Sequence, residues 1–282
     1  MPQDASEPTV TGAAAKPAVT APLSQTDDGP VRTLTLDDAA RRNPLSEEMM
    51  AALQGALCTA GGDHNVRAVV IAANGPAFSA GHDLRQLTAR RSDPDGGRAY
   101  FSALMTACAQ LMQAVVHAPI PVIAAVEGVA SAAGCQLVAS CDLAVAGANA
   151  RFCTPGVNIG LFCSTPMVAL SRNVSRKAAM EMLLLGEMAD ASTAREHGLV
   201  NKVVEPGEAL GEAQRMAGII ASKARGVTAI GKEAFYRQLE MPLADAYAYA
   251  GEVMVRNMLE ADAREGIGAF LDKRAPTWSD NP

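Results

Sequence analysis

One stretch of this sequence, residues 121–146, constrains the fold more than any other; it reads PVIAAVEGVASAAGCQLVASCDLAVA. The apolar run Val122–Val126 predicts a buried strand, and a second such run, Leu143–Ala146, ends the stretch. Between them, a polar break and several small residues lead into Cys135–Cys141, which has helical length and an apolar face. The stretch therefore predicts a strand, a small-residue turn, a helix and a strand.

This order places the N-terminus of the predicted helix in a cleft. The N–H groups of a first helical turn have no partner within the helix and carry a partial positive charge of about half a unit. The side chains of residues 130–134 are all small, so a ligand can approach those N–H groups. Close packing of helices also selects alanine and glycine. This stretch alone is therefore compatible with an anion or oxyanion site and with a packing surface.

A second stretch, residues 66–85, favours the ligand site. It contains a predicted strand, Ala68–Ala73, a turn, and then a small-residue loop with a glycine and several polar residues. The segments AFSAGHDL (residues 77–84) and GVASAAGCQLVASCDLAVA (128–146) closely resemble the two signature segments of the crotonase superfamily, the enoyl-CoA hydratase/isomerase family. The resemblance extends from about Val31 to Trp278 and includes TPGVNIGLFCSTP (154–166).

The resemblance implies an α/β fold, the ClpP/crotonase-like spiral of repeated ββα units with a C-terminal helical trimerisation segment. It divides the chain into a spiral core with an acyl-CoA site (29–205) and a helical oligomerisation segment (206–282). Residues 1–28 are rich in Ala, Pro, Thr and Ser and predict a disordered tail that is neither a transit peptide nor a secretory signal. Local signals predict helix N-caps at Ser46, Ser175 and Asp190.

The resemblance also implies the chemistry. Family enzymes polarise a thioester carbonyl with two backbone N–H groups, which by position are those of His82 and Ala133 here. The substrate is then an acyl-CoA thioester of fatty-acid or related metabolism, its CoA part of the substrate, with no separate cofactor and no metal. The partners implied are further copies of the chain, in a homotrimer or hexamer. The residues matched to the CoA moiety are Ala80, His82, Asp83, Leu84, Arg85, Phe270 and Lys273.

Two positions depart from the family pattern. Hydratases carry a glutamate in each of two motifs, and the matching residues here are Gln136 and Gly156. A glutamine amide cannot take a proton from water, and glycine supplies no group at all. We therefore expect hydration to be weak or replaced by another enolate reaction, such as isomerisation. Thioester hydrolysis and a non-catalytic acyl-CoA-binding or scaffold role remain alternatives.

Other polar residues near these motifs have less chemistry to offer. The His82 ring could replace the missing acid or base, although packing of the ring on the CoA moiety is the favoured interpretation. Ser164 matches an aspartate of some relatives but has no evident base. We expect Glu127 to be solvated, and Asp83 and Asp142 to be structural, with Asp142 holding backbone groups at a helix end.

Composition excludes further classes of function. A net charge of −6 predicts no basic surface for nucleic acid, and no apolar run approaches the ~20 residues that span a membrane. The six cysteines lie in apolar segments without zinc-like spacing. We expect them to be reduced, buried and inert, in a cytoplasmic protein.

Overall fold

The computed structural model of the protein describes residues 22–279. The strands in this range are β1 Leu23–Asp28, β2 Val31–Leu36, β3 Ala68–Ala73, β4 Ala77–Ser79, β5 Val122–Val126, β6 Val129–Ser131, β7 Leu143–Gly147, β8 Arg151–Cys153, β9 Ala189–Asp190 and β10 Lys202–Val204. The α-helices are α1 Glu47–Gly62, α2 Leu84–Ala89, α3 Arg98–His117, α4 Ala133–Ser140, α5 Ser164–Asn173, α6 Arg176–Leu185, α7 Ala191–His197, α8 Ala209–Ala221, α9 Arg225–Gln238, α10 Leu243–Leu259 and α11 Ala261–Leu271. Short 3-10 helices occupy Ala39–Arg41, Arg90–Ser92 and Pro155–Ile159.

The strands form two sheets, and the chain passes back and forth between them. One sheet has the order β1-β2-β3-β5-β7-β10 and the other β4-β6-β8-β9. The pairs β3–β4, β5–β6 and β7–β8 each place one strand in the first sheet and the next in the second, and a helix follows. This is the predicted ββα spiral. The repeat is structural and leaves no visible sequence repeat, because each unit packs against different neighbours.

The six-stranded sheet is covered on both faces. On one face, side chains such as Leu34, Ile71 and Val126 join the main core. The opposite face packs against alanines that recur every four residues along α8, at positions 209, 213, 217 and 221. Helix α8 therefore belongs to the core, which corrects the assignment of all of 206–282 to an oligomerisation segment. The reason is that alanine lets a helix approach the sheet closely.

The disordered tail predicted for residues 1–28 extends too far, because its last six residues form a strand. Leu23–Asp28 forms β1, which pairs antiparallel with β2, while residues 1–21 lie outside the described range. The Arg32 guanidinium donates to both carboxylate oxygens of Asp27, each at 2.8 Å. This bidentate pair and the full strand register order the segment although it has few apolar residues.

The sequence from about Glu208 to Lys273 is helical by pattern, with predicted breaks at Gly226-Val227 and Met241-Pro242. The second break is confirmed, because α9 ends at Gln238 and α10 begins at Leu243. The first is misplaced, because Gly226 lies inside α9 and the chain breaks before Arg225; a further break occurs at Glu260. The Arg225 side chain, only 9% exposed, donates to the carbonyls of Val66 at 3.1 Å and Gly61 at 2.7 Å. These long-range bonds fix the start of α9 ahead of the glycine.

Helix α3 is long and apolar enough to cross a membrane by length and composition, with a mean hydropathy of 1.4, contrary to the prediction that no such run exists. In the fold, its buried residues Leu104, Cys108 and Leu111 join the main core, and the helix contacts α1 and α4. The core of this fold demands a similar apolar content, so composition alone does not separate the two roles.

Candidate active site

The first signature turn is held by the segment 42–45, which lies just before α1. The Ala80 N–H donates to the Arg42 carbonyl at 3.0 Å, and the Leu45 N–H donates to the Gly81 carbonyl at 2.8 Å. Gly81 has φ +88°, a conformation in which a side chain is strained. The chain thus makes a sharp turn directly after β4, supported by backbone groups from another part of the sequence.

Asn43 is the organising side chain of that supporting segment. It is fully buried and has φ +51°, which asparagine tolerates better than most residues. Its Oδ1 accepts from the Asp38 N–H at 2.7 Å, and its Nδ2 donates to the carbonyls of Asn74 and Ala77, both at 2.8 Å. The sequence pattern does not predict this role, since it indicates only the N-cap at Ser46 next to this segment.

The second signature turn packs directly against the first. A Cβ built on Gly81 would lie 3.3 Å from the Ala133 nitrogen, and one built on Gly134 would lie 2.5 Å from the Ser79 carbonyl oxygen. Both glycines are therefore required by close approach of the two turns. The residue before α4, Ala132, has φ +49° and ψ −114°, a conformation that normally requires glycine.

The amides of His82 and Ala133 are the two predicted oxyanion donors, and the structure brings their turns together at Gly81. Among the described residues, no backbone or side-chain acceptor bonds to either N–H. Ala133 is the first residue of α4, so its N–H also carries the partial positive charge of that helix end. Each turn therefore presents one N–H group without an acceptor. Two such donors aimed at one oxygen atom are what stabilisation of an oxyanion requires.

His82 is half-buried, and packing of its ring on a CoA moiety remains a prediction. Its Nδ1 lies 3.2 Å from the Leu45 carbonyl oxygen, and its Nε2 is buried without a hydrogen-bond partner in the described chain. Burial lowers the pKa of the imidazole, and the bond to Leu45 opposes that shift only in part. A neutral ring with both nitrogens withdrawn from solvent is poorly placed for proton transfer.

Gln136 is buried in the first turns of α4, with 4% of its surface exposed. The Cys108 thiol of α3 lies 3.8 Å from its Oε1. Burial raises the pKa of Cys108 to about 11, so the thiol keeps its proton and is the donor. The Gln136 carbonyl end is therefore occupied, while its Nε2–H groups have no acceptor in the described chain. The side chain can donate to a ligand but cannot act as a base.

Gly156 is surrounded by other groups. A Cβ built there would lie 2.9 Å from the Cys163 Sγ and 2.9 Å from the Leu161 carbonyl oxygen. The thiol of Cys163 thus fills the space in which a side chain at position 156 would begin. A carboxylate side chain at position 156 would therefore require the loop between the 3-10 helix Pro155–Ile159 and α5 to move.

The residues matched to CoA around the first turn differ in role. Ala80, Leu84 and Arg85 are exposed, and the Arg85 guanidinium has no partner among the described residues. Asp83 caps α2 by accepting from the Arg85 N–H at 2.9 Å, and it pairs with Arg41 at 3.0 Å. Asp83 is therefore structural, as expected, while Arg85 stays available for an anionic group.

Phe270 and Lys273 lie at the end of α11, and Phe270 is 81% exposed. Helix α11 packs against α10, and within the described chain no hydrogen bond or ion pair joins either side chain to the two turns. A single chain therefore does not bring them into the candidate site, and their contact with CoA remains a prediction.

The carboxylates of the central stretch hold other elements in place. Glu127 accepts from the N–H groups of Gly207 at 2.9 Å and Ala209 at 3.1 Å, so it caps the start of α8 and is not simply solvated. Asp142 accepts from the Val122 N–H at 2.7 Å, so it holds a backbone group as expected, but at the start of β5 and not at a helix end. Ser164 donates weakly to the Phe162 carbonyl at 3.3 Å, and its hydroxyl bonds to no basic group within residues 22–279.

The cysteines, and a cavity apart from the two signature turns, show no further chemistry among the described residues. All six cysteines are free, but Cys58 is exposed, contrary to the expectation that all are buried. Among the described residues, no group of three or more His, Cys, Asp or Glu side chains is arranged to hold a metal ion. A cavity of about 300 Å³ is lined by residues of α6, β9 and α7 and contains none of the predicted site residues.

Relatives of known name are similar over most of the chain. Enoyl-CoA hydratase domain-containing protein 3 of Homo sapiens is 46% identical over 252 residues, 89% of this chain and 82% of its own length. The protein of that name from Xenopus laevis is 47% identical over 88% of this chain and 83% of its own. The segments quoted above also resemble this group within the family, so that likeness is confirmed.

The expectation of a cytoplasmic protein is wrong in the light of these relatives, which are named as mitochondrial proteins. Reduced cysteines indicate a reducing environment and do not specify which compartment provides it. The inference from thiols to the cytoplasm was therefore too narrow.

Solved structures agree with the relatives. An enoyl-CoA hydratase of Mycobacterium smegmatis is 51% identical, with a TM-score of 0.86 over 91% of this chain and 98% of that one. Human enoyl-CoA hydratase domain-containing protein 3 is 45% identical, with a TM-score of 0.86 over 91% of this chain and 100% of that one. The family model described as enoyl-CoA hydratase/isomerase matches residues 27–281. With the spiral fold and the two signature turns, these matches establish that the chain belongs to the enoyl-CoA hydratase/isomerase family.

Proposed function

We propose that the protein binds an acyl-CoA thioester and stabilises an enolate at its carbonyl, with little hydratase activity. The observation that carries the proposal is the meeting of two turns whose amides, at His82 and Ala133, lack any acceptor within the described chain. Family membership supports an acyl-CoA substrate.

The two amides act on the charge that develops during reaction. The thioester oxygen accepts from both N–H groups, and negative charge grows on it as the enolate forms. Donors held in place for that charge lower the barrier, and the loss of one typically costs about 3–4 kcal/mol. The helix end at Ala133 strengthens the same interaction.

Proton transfer is the step for which this site has few groups. Gln136 can donate a hydrogen bond but cannot accept a proton, and position 156 carries no side chain. A positioned acid or base typically contributes about 100- to 10,000-fold to the rate. We therefore propose an enolate reaction that adds no water, such as double-bond isomerisation, in which one base takes a proton from one carbon of the acyl chain and returns it to another. Neither Gln136 nor Gly156 can be that base, so the proton must pass to another group or to solvent water.

A second candidate is a non-catalytic acyl-CoA-binding protein. The observation in its favour is the filled space at Gly156, where Cys163 occupies the position at which a side chain would begin. Binding would use the same donors and Arg85 but would lead to no turnover.

One experiment separates these candidates. Purified protein is tested against a panel of acyl- and enoyl-CoAs by calorimetry and by turnover, beside the matching free acids. We expect CoA thioesters to bind more tightly than the acids; the absence of any heat up to millimolar concentration would contradict both candidates. Binding without turnover of any panel member would favour the non-catalytic role.

A pair of variants controls the binding assay. Arg85→Ala should weaken CoA thioester binding, because its exposed guanidinium is available to a phosphate, while Arg176→Ala, at the exposed start of α6, should not. Equal effects of the two would remove Arg85 from the binding site.

A further inference from the structure

In the peptide unit between Gly81 and His82, the carbonyl makes a hydrogen bond within the described chain and the N–H does not. Its carbonyl accepts from the Leu45 N–H at 2.8 Å. In a trans peptide the N–H points opposite to the carbonyl, so this bond turns the His82 N–H away from Leu45. No described group bonds to that N–H. Its direction therefore depends on how firmly the carbonyl side is held.

The His82 side chain supplies a second bond to the same residue. Its Nδ1 lies 3.2 Å from the Leu45 carbonyl oxygen, which can only accept, so Nδ1 carries the proton. The Nε2 is then bare, and it is buried without a partner in the described chain. The histidine and Leu45 thus form a two-bond clamp, with one bond through the backbone of the turn and one through the ring.

The rest of the segment makes this clamp rigid. Pro44 restricts the backbone before Leu45, and Asn43 ties the segment to Asn74 and Ala77 by two further bonds of 2.8 Å. Leu45 itself is fully buried. A rigid acceptor at Leu45 gives the ring a fixed point of attachment.

We propose that the His82 side chain is a positioning residue that orients its own backbone N–H as an oxyanion donor, through the bond from Nδ1 to the Leu45 carbonyl. The ring does not touch the substrate or transfer a proton. This inference rests on the proposed function, since it assigns a task to one of the two amides proposed there.

The test uses a reporter ligand that needs no turnover. The absorbance of 4-dimethylaminocinnamoyl-CoA shifts to longer wavelength when hydrogen bonds polarise its thioester carbonyl. Three variants are compared with wild type: His82→Phe keeps an aromatic ring without a donor, His82→Ala removes the ring, and His82→Asn retains an N–H near the position of Nδ1.

We expect the Phe and Ala variants to lose most of the red shift while Kd changes by no more than about threefold, since the remaining CoA contacts are intact. The Asn variant should recover much of the shift. For any thioester that wild type turns over, kcat should fall by about 10- to 100-fold in the Phe variant, with little change in KM. His64→Phe, at an exposed turn before β3, is the matched control and should behave as wild type.

The outcomes separate this inference from the function on which it rests. A red shift that is equal in wild type, His82→Phe and His82→Ala overturns the clamp and leaves the oxyanion site standing. Failure of the wild type to bind or shift the reporter overturns the proposed function and the clamp together. Nitrogen-15 spectra of the wild-type ring give a test without ligand, and protonation at Nε2 in place of Nδ1 also overturns the clamp.

Discussion

At the scale of single residues, Ala132 shows how the site stores strain. It lies between Ser131 of β6 and the proposed donor Ala133, with φ +49° and ψ −114°. A non-glycine residue in such a region costs about 1–3 kcal/mol, and the surrounding packing must compensate. The Ala132 N–H donates to the Cys153 carbonyl at 2.9 Å, which is part of that compensation.

This strain predicts an unusual response to glycine. Ala132→Gly should leave the free energy of unfolding unchanged or raise it by up to about 1 kcal/mol, because relief of strain offsets the added entropy of the unfolded chain. Ala103→Gly, at an exposed position in α3, should instead lower it by about 1 kcal/mol. Denaturant unfolding measures both, and equal losses would contradict the strain at Ala132.

Gln136 and Gly156 are not equivalent as positions for a restored carboxylate. We expect Gln136→Glu to raise the rate of crotonyl-CoA hydration, by at most the ~10,000-fold of a well-placed acid or base, because the oxyanion donors are already present. Adding Gly156→Glu should destabilise the protein by about 1–3 kcal/mol, since its Cβ would lie 2.9 Å from the Leu161 carbonyl oxygen and the Cys163 thiol.

Steady-state hydration kinetics and thermal unfolding together check this prediction. Gly156→Ala isolates the steric cost and should destabilise without any gain in rate. A folded Gln136→Glu variant with no gain would mean that pocket geometry, and not the missing carboxylate, prevents hydration.

At the scale of elements, helix α9 is joined to the core by a buried ion pair. The Lys232 Nζ donates to Asp142 at 2.7 Å and to the carbonyls of Val115 at 2.9 Å and Ile120 at 3.1 Å. Tyr236, one turn further along α9, donates to the other Asp142 oxygen at 2.9 Å. The Lys232 ammonium has all three donors satisfied, so the end of α3 and the start of β5 are held by one helix.

Breaking this pair should be costly. Lys232→Met leaves the Asp142 carboxylate, with 16% of its side chain exposed, without its counter-ion and should lower the free energy of unfolding by about 3–5 kcal/mol. The double change Lys232→Met with Asp142→Asn should recover part of the loss, since no uncompensated charge remains. A loss of less than about 1 kcal/mol in the free energy of unfolding for Lys232→Met would mean that the pair contributes no more than an ordinary surface salt bridge.

At the scale of the whole molecule, α10 contacts α9 and α11 but leaves large apolar side chains uncovered by any described part of the chain. None of its residues is buried, and Leu243, Tyr247 and Leu259 are 75%, 74% and 72% exposed. Large apolar side chains left exposed along a whole helix indicate an interface. We propose that it packs against further copies of the chain, in the trimer or hexamer that the family resemblance implies.

Light scattering coupled to gel filtration tests the assembly. The wild type should elute as a trimer or hexamer at micromolar concentration, and Tyr247→Glu should shift it towards a monomer. Glu196→Arg, at an exposed position in α7, serves as the control and should leave the size unchanged. A monomeric wild type would contradict the proposal.

Stability should fall in two stages as the solution is acidified. Burial lowers the pKa of His82 below its ordinary value of 6.5, so at low pH the unfolded state binds a proton more readily than the folded state. The contribution of this group to the free energy of unfolding is therefore complete above pH 6.5 and decreases below it. Hydrogen bonds from Arg215 and Arg274 lower the pKa of Glu212 and Glu265 from 4.5 to about 2, so a second decrease follows below pH 4.5.

Chemical denaturation across this pH range measures both stages. His82→Phe should remove the first stage and leave the second unchanged. Persistence of the first stage in that variant would assign it to another group.

The sequence predicted correctly those strands and helix caps whose formation depends mainly on neighbouring residues. The predicted strands at 68–73 and 122–126 have the bounds observed, because short apolar runs rich in β-branched residues and bounded by turn residues have few other ways to bury themselves. The caps at Ser46, Ser175 and Asp190 accept from N–H groups three residues ahead, as their sequence context predicts. The sequence by itself likewise determined the family and which two turns carry the candidate donors.

Only the tertiary structure decided how those turns are held. The Leu45 bonds to Gly81 and His82, the capping of α8 by Glu127 and the filling of position 156 by Cys163 join groups that no local pattern relates. A hydrogen bond between residues 37 positions apart, such as that of the His82 ring, leaves no periodic signal in a single sequence. Its energy depends on where the whole chain places a donor and an acceptor, and that placement follows from the packing of the two sheets.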